Sequence, residues 1–281
     1  MKLKSSMTAD LSRELRFTPV TFESWPYPNV CAHRGASNLA PENTLEALEF
    51  GAKLGHRMFE FDVKLSADNI AFLLHDDTLD RTTNASGFAG KRLMSELELL
   101  DAGKLMGQQV SSFNIAANHV IRIPRLHSIA TWLLDNNYLA NVEIKPTKGT
   151  EAQTGAQVAR DCWAVWSQRL QSLPAEQLLV PPLLSSFSEV ALAAARDAVP
   201  QLPRALLLDR LPNDWLDRCL ALDVVALDSN FRALDAQVIE LAKANRLRVL
   251  SYTINDMNVM KSLFAAGLDC AITDAVDLVM P

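Results

Sequence analysis

Cysteine is scarce and scattered. Cys31, Cys162, Cys219 and Cys270 are the only four among 281 residues, and no two stand at the CxxC spacing of a zinc or redox site. That excludes a disulfide framework and points to reduced thiols in a cytoplasmic protein. Long apolar runs are missing too: none approaches the roughly 20 residues needed to cross a bilayer. Residues 1–25 interleave charged side chains where a secretory leader would need a continuous apolar core. The chain is therefore expected to be soluble, without stable membrane insertion. A basic excess is absent as well. The formal net charge is -6, and the Lys and Arg residues form no stripe, so the footprint of a nucleic-acid binder is missing. Any anionic small-molecule substrate must be met locally. With only 10 glycines and 13 prolines beside 49% hydrophobic residues, the composition fits a packed core and excludes a disordered chain. No GxSxG, HExxH, Walker loop or strand-borne GxGxxG occurs, and no internal repeat is visible.

What is present is alternation. Residues 1–28 lack periodicity, end in Trp25-Pro26-Tyr27-Pro28, and read as an N-terminal arm. Strands are expected at 30–32, 58–65, 70–74, 140–144, 178–184, 205–208, 224–227, 248–252 and 269–272. Helices are expected at 44–54, 126–136, 152–173, 188–198, 215–220, 236–244 and 257–266. Asn43 followed by Glu46 has the spacing of a capping box at the first helix. Residues 76–123 break the rhythm, being rich in Asp, Thr, Asn and Gly with one short helix at 95–100, and read as an insertion. Roughly eight strand-helix units predict an α/β fold, a closed TIM barrel spanning 29–281 with an insertion after an early strand. An open doubly wound sheet is the rival arrangement. In a barrel, the active site lies at the strand C-terminal ends.

Strand alternation then sorts the charged residues. Glu60 and Asp62 share one face of their strand, opposite Phe59, Phe61 and Val63; Glu143 and Lys145 share a face, opposite Val142 and Ile144. Acids so close oppose folding unless a cation or donors offset them. Three carboxylates without a nearby Cys favour Mg²⁺ or Ca²⁺ over Zn²⁺. His33 and His75 both follow expected strands and can act as acid and base near neutral pH. Arg34 adds a planar cation suited to phosphate oxygens, and Lys145 a second. Three carboxylates, two side-chain cations and one divalent ion leave a single positive charge, which a phosphodiester would neutralise. The remaining histidines, His56, His119 and His127, are expected to be structural or surface residues, and Trp132, Trp163 and Trp166 to lie in the core.

At these residues the chain resembles the glycerophosphodiester phosphodiesterase family. The shared motifs are His33-Arg34-Gly35, Pro41-Glu42-Asn43-Thr44, Glu60-Phe61-Asp62, His75-Asp76, Val142-Glu143-Ile144-Lys145, Tyr252-Thr253-Ile254-Asn255 and Ile272-Thr273-Asp274. The resemblance implies one divalent cation on Glu60, Asp62 and Glu143, His33 and His75 as acid and base, and Arg34 and Lys145 on the phosphate. Glu42 would support the site, and Tyr252 stands where the family commonly has Trp, at the glycerol end of the substrate. The implied reaction converts glycerophosphodiesters, such as glycerophosphocholine or glycerophosphoethanolamine, to glycerol 3-phosphate and an alcohol. A lysophospholipase D-like activity and a catalytically silent ligand-binding barrel are the alternatives. No residue in the motifs names the alcohol released.

Overall fold

The computed structural model describes residues 16–103 and 120–279. Residues 1–15 of the expected arm and 104–119 of the expected insertion, His119 among them, lie outside the described residues.

Eight parallel strands close into a TIM barrel. They are β1 (Val30–Ala32), β2 (Met58–Leu65), β4 (Leu139–Ile144), β5 (Leu183–Ser186), β6 (Arg204–Leu208), β7 (Ala226–Asn230), β8 (Arg248–Tyr252) and β9 (Cys270–Thr273), and β1 closes the ring by pairing with both β2 and β9. β3 (Ala71–Leu73) stands outside the ring, antiparallel to the end of β2. Around the barrel lie α1 (Leu45–Lys53), α3 (Leu126–Asp135), α4 (Glu151–Ser172), α5 (Glu189–Ala198), α6 (Trp215–Ala221), α7 (Ala236–Ala244) and α8 (Met257–Ala266), with the short α2 (Met94–Leu97) in the excursion after β3. Among the described residues no helix is long and apolar enough to cross a membrane.

Every residue of β2 is buried, and its two faces meet different surroundings. Phe59, Phe61 and Val63 pack outward against α3, α4 and their neighbours with Leu133, Val158 and Trp166. Each large side chain so buried contributes about 1.5–3 kcal/mol. Trp166 is core as expected, while Trp132 and Trp163 pack against it half-buried. Met58 turns inward and joins Cys31, Leu183, Ala205, Ala226, Leu250 and Cys270 in an apolar floor inside the barrel. Tyr27, from the segment before β1, enters this floor and donates its hydroxyl hydrogen bond to the Pro181 carbonyl at 2.9 Å. His56 is buried and bonds the Val276 carbonyl at 2.9 Å, and His127 is exposed, both in keeping with structural or surface roles.

Three expectations need correction. The strand placed at 178–184 is Leu183–Ser186, because Pro181 and Pro182 have no N–H for the ladder. The strand placed at 224–227 is Ala226–Asn230: Asp228 and Ser229, polar enough to read as loop, are fully buried. Asn43 is not the cap of α1; Thr44 is, accepting from the Ala47 N–H at 3.2 Å, and Asn43 takes a left-handed turn with φ 59°. In the excursion after β3, the described residues build a small apolar cluster of their own around Phe72, Leu79, Met94, Leu97 and Ile121.

Candidate active site

The site stands on the C-terminal ends of β1, β2, β4 and β9. Arg34 and Gly35 both have positive φ, 49° and 86°, and the turn they make presses on α1. A Cβ on Gly35 would meet the α1 backbone at Ala47 and Leu48 at 2.7 Å, so only glycine lets the turn come this close. The turn aims His33 and Arg34 over the barrel mouth.

Glu60, Asp62 and Glu143 offer carboxylate oxygens that all lie within 4.8 Å of one another, and all three side chains are buried. β2 and β4 run in register, with Glu60 beside Asn141 and Asp62 beside Glu143. Asp62 is the anchored member. Asn43 donates Nδ2 to Asp62 Oδ2 at 2.9 Å and accepts the Asp62 N–H at 3.0 Å. Arg34 Nε stands 3.2 Å from its Oδ2, and Lys145 Nζ 3.3 Å from its Oδ1. Burial opposes its ionisation, but Arg34 and Lys145 outweigh burial and hold the carboxyl well below the usual range. Burial and the neighbouring carboxylates push the other two the opposite way: Glu60 is raised well above its ordinary value and Glu143 is raised to about 7. Glu60 Oε1 has no hydrogen-bond partner among the described residues. Three clustered carboxylates, two of them resisting ionisation and one with an orphaned oxygen, fit a hard divalent cation bound through oxygen.

Both imidazoles are held at Nδ1. His33 Nδ1 lies 2.6 Å from Asp274 Oδ1, and that carboxylate also takes hydrogen bonds from Ser37 Oγ and from Asn255 Nδ2, the latter at 3.1 Å. His75 Nδ1 lies 2.7 Å from Asp76 Oδ1. Each arrangement turns Nε2 toward the site, and His33 Nε2 stands 3.8 Å from Glu60 Oε2. Burial, with Arg34 and Lys145 adding to it, lowers the pKa of His75. A chain of ion pairs links the two halves of the site: Arg34 Nη1 donates to Glu42 at 2.9 Å, Arg81 donates to both Glu42 oxygens at 2.7 and 2.8 Å, and Arg81 Nε donates to Asp76 at 2.6 Å. Lys64, 1% exposed, reaches Asp77 at 2.8 Å and the Lys145 carbonyl at 3.1 Å.

All the residues singled out from the sequence meet here. His33, Arg34, Glu60, His75, Glu143, Lys145 and Tyr252 line one cavity of about 260 Å³, with Asp62 and Glu42 just behind it. Sequence reasoning quoted Asp76 and Asp274 within motifs but gave no role to them, nor to Arg81, Lys64 or Asp228. Lys64 continues the period-two pattern of Glu60 and Asp62 and could have been found that way. Asp274 follows β9 by one residue as His33 follows β1, and the pairing of Ala32 with Thr273 makes them neighbours.

The barrel mouth thus gathers three carboxylates, two cationic side chains and two oriented imidazoles in one place. The sequence profile of the glycerophosphoryl diester phosphodiesterase family matches residues 33–278, and the chain belongs to that family and is an enzyme of it. It is 28% identical over 246 residues to a glycerophosphodiester phosphodiesterase of Caldanaerobacter subterraneus, covering 87% of this chain and 93% of that one. Among solved structures, an Oleispira antarctica phosphodiesterase in complex with the product sn-glycerol-3-phosphate superposes with a TM-score of 0.75 at 32% identity, covering 89% of this chain and 94% of that one. A protein from Silicibacter pomeroyi shares the fold, with a TM-score of 0.74 at 22% identity and 94% coverage of both chains.

Proposed function

We propose that this chain hydrolyses glycerophosphodiesters, such as glycerophosphocholine or glycerophosphoethanolamine, to glycerol 3-phosphate and an alcohol. The observation that carries the reading is the cluster of Glu60, Asp62 and Glu143 with their oxygens within 4.8 Å, set between two imidazoles whose Nδ1 atoms are already occupied. Glu60, Asp62 and Glu143 would hold one Mg²⁺ or Ca²⁺ ion. When bound, that ion would polarise a phosphoryl oxygen and ease deprotonation of the attacking hydroxyl.

The side chains supply the rest. Arg34 and Lys145 are cations fixed against Asp62 and they line the cavity, so they orient the phosphodiester through its free oxygens. Nε2 of one imidazole removes the proton from the attacking hydroxyl, either of water, which gives glycerol 3-phosphate directly, or of the glycerol itself, which gives a cyclic phosphate that a water molecule then opens to glycerol 3-phosphate. The phosphorus–oxygen ester bond breaks, and Nε2 of the other imidazole returns a proton to the departing alkoxide. Asp274 and Asp76 set the tautomer by accepting from Nδ1, as the acid of a hydrolase triad does. Glu42, with both oxygens taken by guanidinium groups, positions Arg34.

Choline release from glycerophosphocholine with Mg²⁺ or Ca²⁺ tests this directly, with His33→Ala and Glu60→Ala in parallel. Loss of the His33 imidazole should lower the rate about 10²- to 10⁴-fold. Equal rates for wild type and both variants would refute the assignment. The same assay with a lysophospholipid in place of its deacylated analogue separates the lysophospholipase D-like reading, and ligand binding without turnover would favour the silent barrel.

A further inference from the structure

Arg81 belongs to the excursion after β3 and stands outside the cavity wall, yet its guanidinium makes four hydrogen bonds to two carboxylates of the site. Nη1 and Nη2 donate to Glu42 at 2.7 and 2.8 Å, and Nε and Nη2 donate to Asp76 at 2.6 and 2.9 Å. Nη2 is the shared atom. It bonds Glu42 Oε1, which Arg34 Nη1 also reaches at 2.9 Å, and Asp76 Oδ1, which lies 2.7 Å from His75 Nδ1. One nitrogen therefore connects the guanidinium that faces the phosphate to an imidazole that moves a proton.

Stability does not account for this arrangement. The Arg81 side chain is 40% exposed, and ion pairs so exposed contribute little. The turn that carries it also holds by other means. Leu79 is fully buried in the apolar cluster of the excursion, its N–H bonds the Gly87 carbonyl at 2.9 Å, and the Thr83 N–H and Oγ1 both donate to the Leu79 carbonyl, at 3.1 and 2.7 Å.

Electrostatics gives Arg81 a task in the site. Arg34, Glu42, Arg81 and Asp76 sum to zero formal charge, and without Arg81 the sum is negative. The buried Glu42 carboxylate would then have Arg34 as its remaining ion-pair partner, and would draw that guanidinium away from Asp62 and from an incoming phosphodiester. The hydrogen bonds from Arg81 also hold the Asp76 carboxyl down at about 2, so near neutral pH it stays an acceptor for His75 Nδ1. Lysine could not do the same, because an ammonium is a compact point donor whereas the planar fork serves both carboxylates at once.

We propose that Arg81 is a positioning residue that couples the two halves of the site: through Glu42 and Asp76 it aligns Arg34 and His75 together, so that the excursion sets the geometry of groups borne by the barrel. This inference rests on the phosphodiesterase reading above.

The test compares Arg81→Ala and Arg81→Lys with Arg125→Ala in the full chain supplied with Mg²⁺ or Ca²⁺. Arg125 is the control: its side chain is also 40% exposed and pairs with Glu98 of the same excursion at 2.6 Å, but it bonds no residue of the site. With glycerophosphocholine, Arg81→Ala should lower kcat about 10- to 100-fold, as misplacement of reacting groups does. Arg125→Ala should change kcat by less than about 2-fold, and both alanine variants should melt within about 3 °C of wild type. Arg81→Lys should lose nearly as much activity as Arg81→Ala. Guanidinium chloride at about 20 mM, far below denaturing levels, should raise the Arg81→Ala rate about fivefold or more by entering the vacated, partly exposed position, and should leave Arg81→Lys unchanged. Nitrogen-15 spectra of the histidine rings at about pH 8 read the coupling without turnover. In wild type the His75 proton should sit on Nδ1; in Arg81→Ala the two ring nitrogens should average toward each other while the His56 signals stay in place. Equal losses in Arg81→Ala and Arg125→Ala, full activity in Arg81→Lys, or His75 signals indifferent to Arg81 would overturn the proposal. If the wild type releases no choline at all, the phosphodiesterase reading fails, and the ring spectra still decide whether Arg81 orients His75.

Discussion

Two layers inside one barrel, separated by two residues on the same strands, solve opposite problems. The lower layer holds Cys31, Met58, Leu183, Ala226 and Leu250, sealed beneath by Tyr27. Two residues further along stand His33, Glu60, Ser185, Asp228 and Tyr252, all on the cavity wall. Between β2 and β4, β4 and β5, and β7 and β8 the backbone ladder runs through both layers, so these hydrogen bonds do not depend on what the side chains do. The lower layer buries apolar surface and contributes stability. The upper layer buries carboxylates that resist ionisation and polar atoms without partners, which costs stability. A barrel can carry the second because it has the first, and because its outer shell of Phe59, Phe61, Leu133 and Trp166 is apolar throughout.

That contrast can be broken from either side. The largest effect on stability should come from the lower layer: Met58→Ala should cost about 2–5 kcal/mol by chemical denaturation and leave cation affinity unchanged. If Met58→Ala abolished cation binding in the folded protein, the layers would not be separable. Next comes a substitution beside the upper layer. Asp274→Asn keeps the shape but replaces a carboxylate that accepts from His33 Nδ1 at 2.6 Å, and should lower kcat about 10- to 100-fold with little change in melting temperature.

The smallest effect is one of pH. Glu143 is raised from 4.5 to about 7 in the folded protein, so the folded chain keeps a proton that the unfolded chain has released across that window. Without a cation, the group's contribution to stability therefore falls as pH rises from about 4.5 through about 7. A cation needs the ionised carboxylate, so it binds better over the same range. The melting temperature with Mg²⁺ or Ca²⁺ minus that with chelator should widen by a few degrees between pH about 5 and about 8. A gap that narrows would mean the acids are not the cation's ligands.

The barrel was legible in the sequence because its outward faces repeat, and Phe59, Phe61, Val63 or Val142 and Ile144 declare the strand period without help from partners. The charged half of the site was legible for the same reason: Glu60 and Asp62, or Glu143 and Lys145, are acids and bases at spacing two inside apolar strands. The other half was hidden by its own polarity. Ser185, Ser186, Asp228 and Ser229 read as loop residues, yet they are buried strand ends inside the barrel. Asn43 looked like a helix cap and instead brackets Asp62. Asp274 lies 241 residues from His33, and only closure of the ring between β1 and β9 brings them together. Local pattern finds what one strand displays, and ring closure supplies what two distant strands share.

The most direct test of the upper layer is a calorimetric titration of the chelator-treated chain with Mg²⁺ or Ca²⁺, wild type beside Asp62→Asn, near pH 8 where Glu143 is ionised. The expected result is one cation per wild-type chain, with affinity at least about tenfold weaker in Asp62→Asn. A wild type that takes up no cation, or an Asp62→Asn chain that binds it as tightly, would contradict the assignment of these three acids.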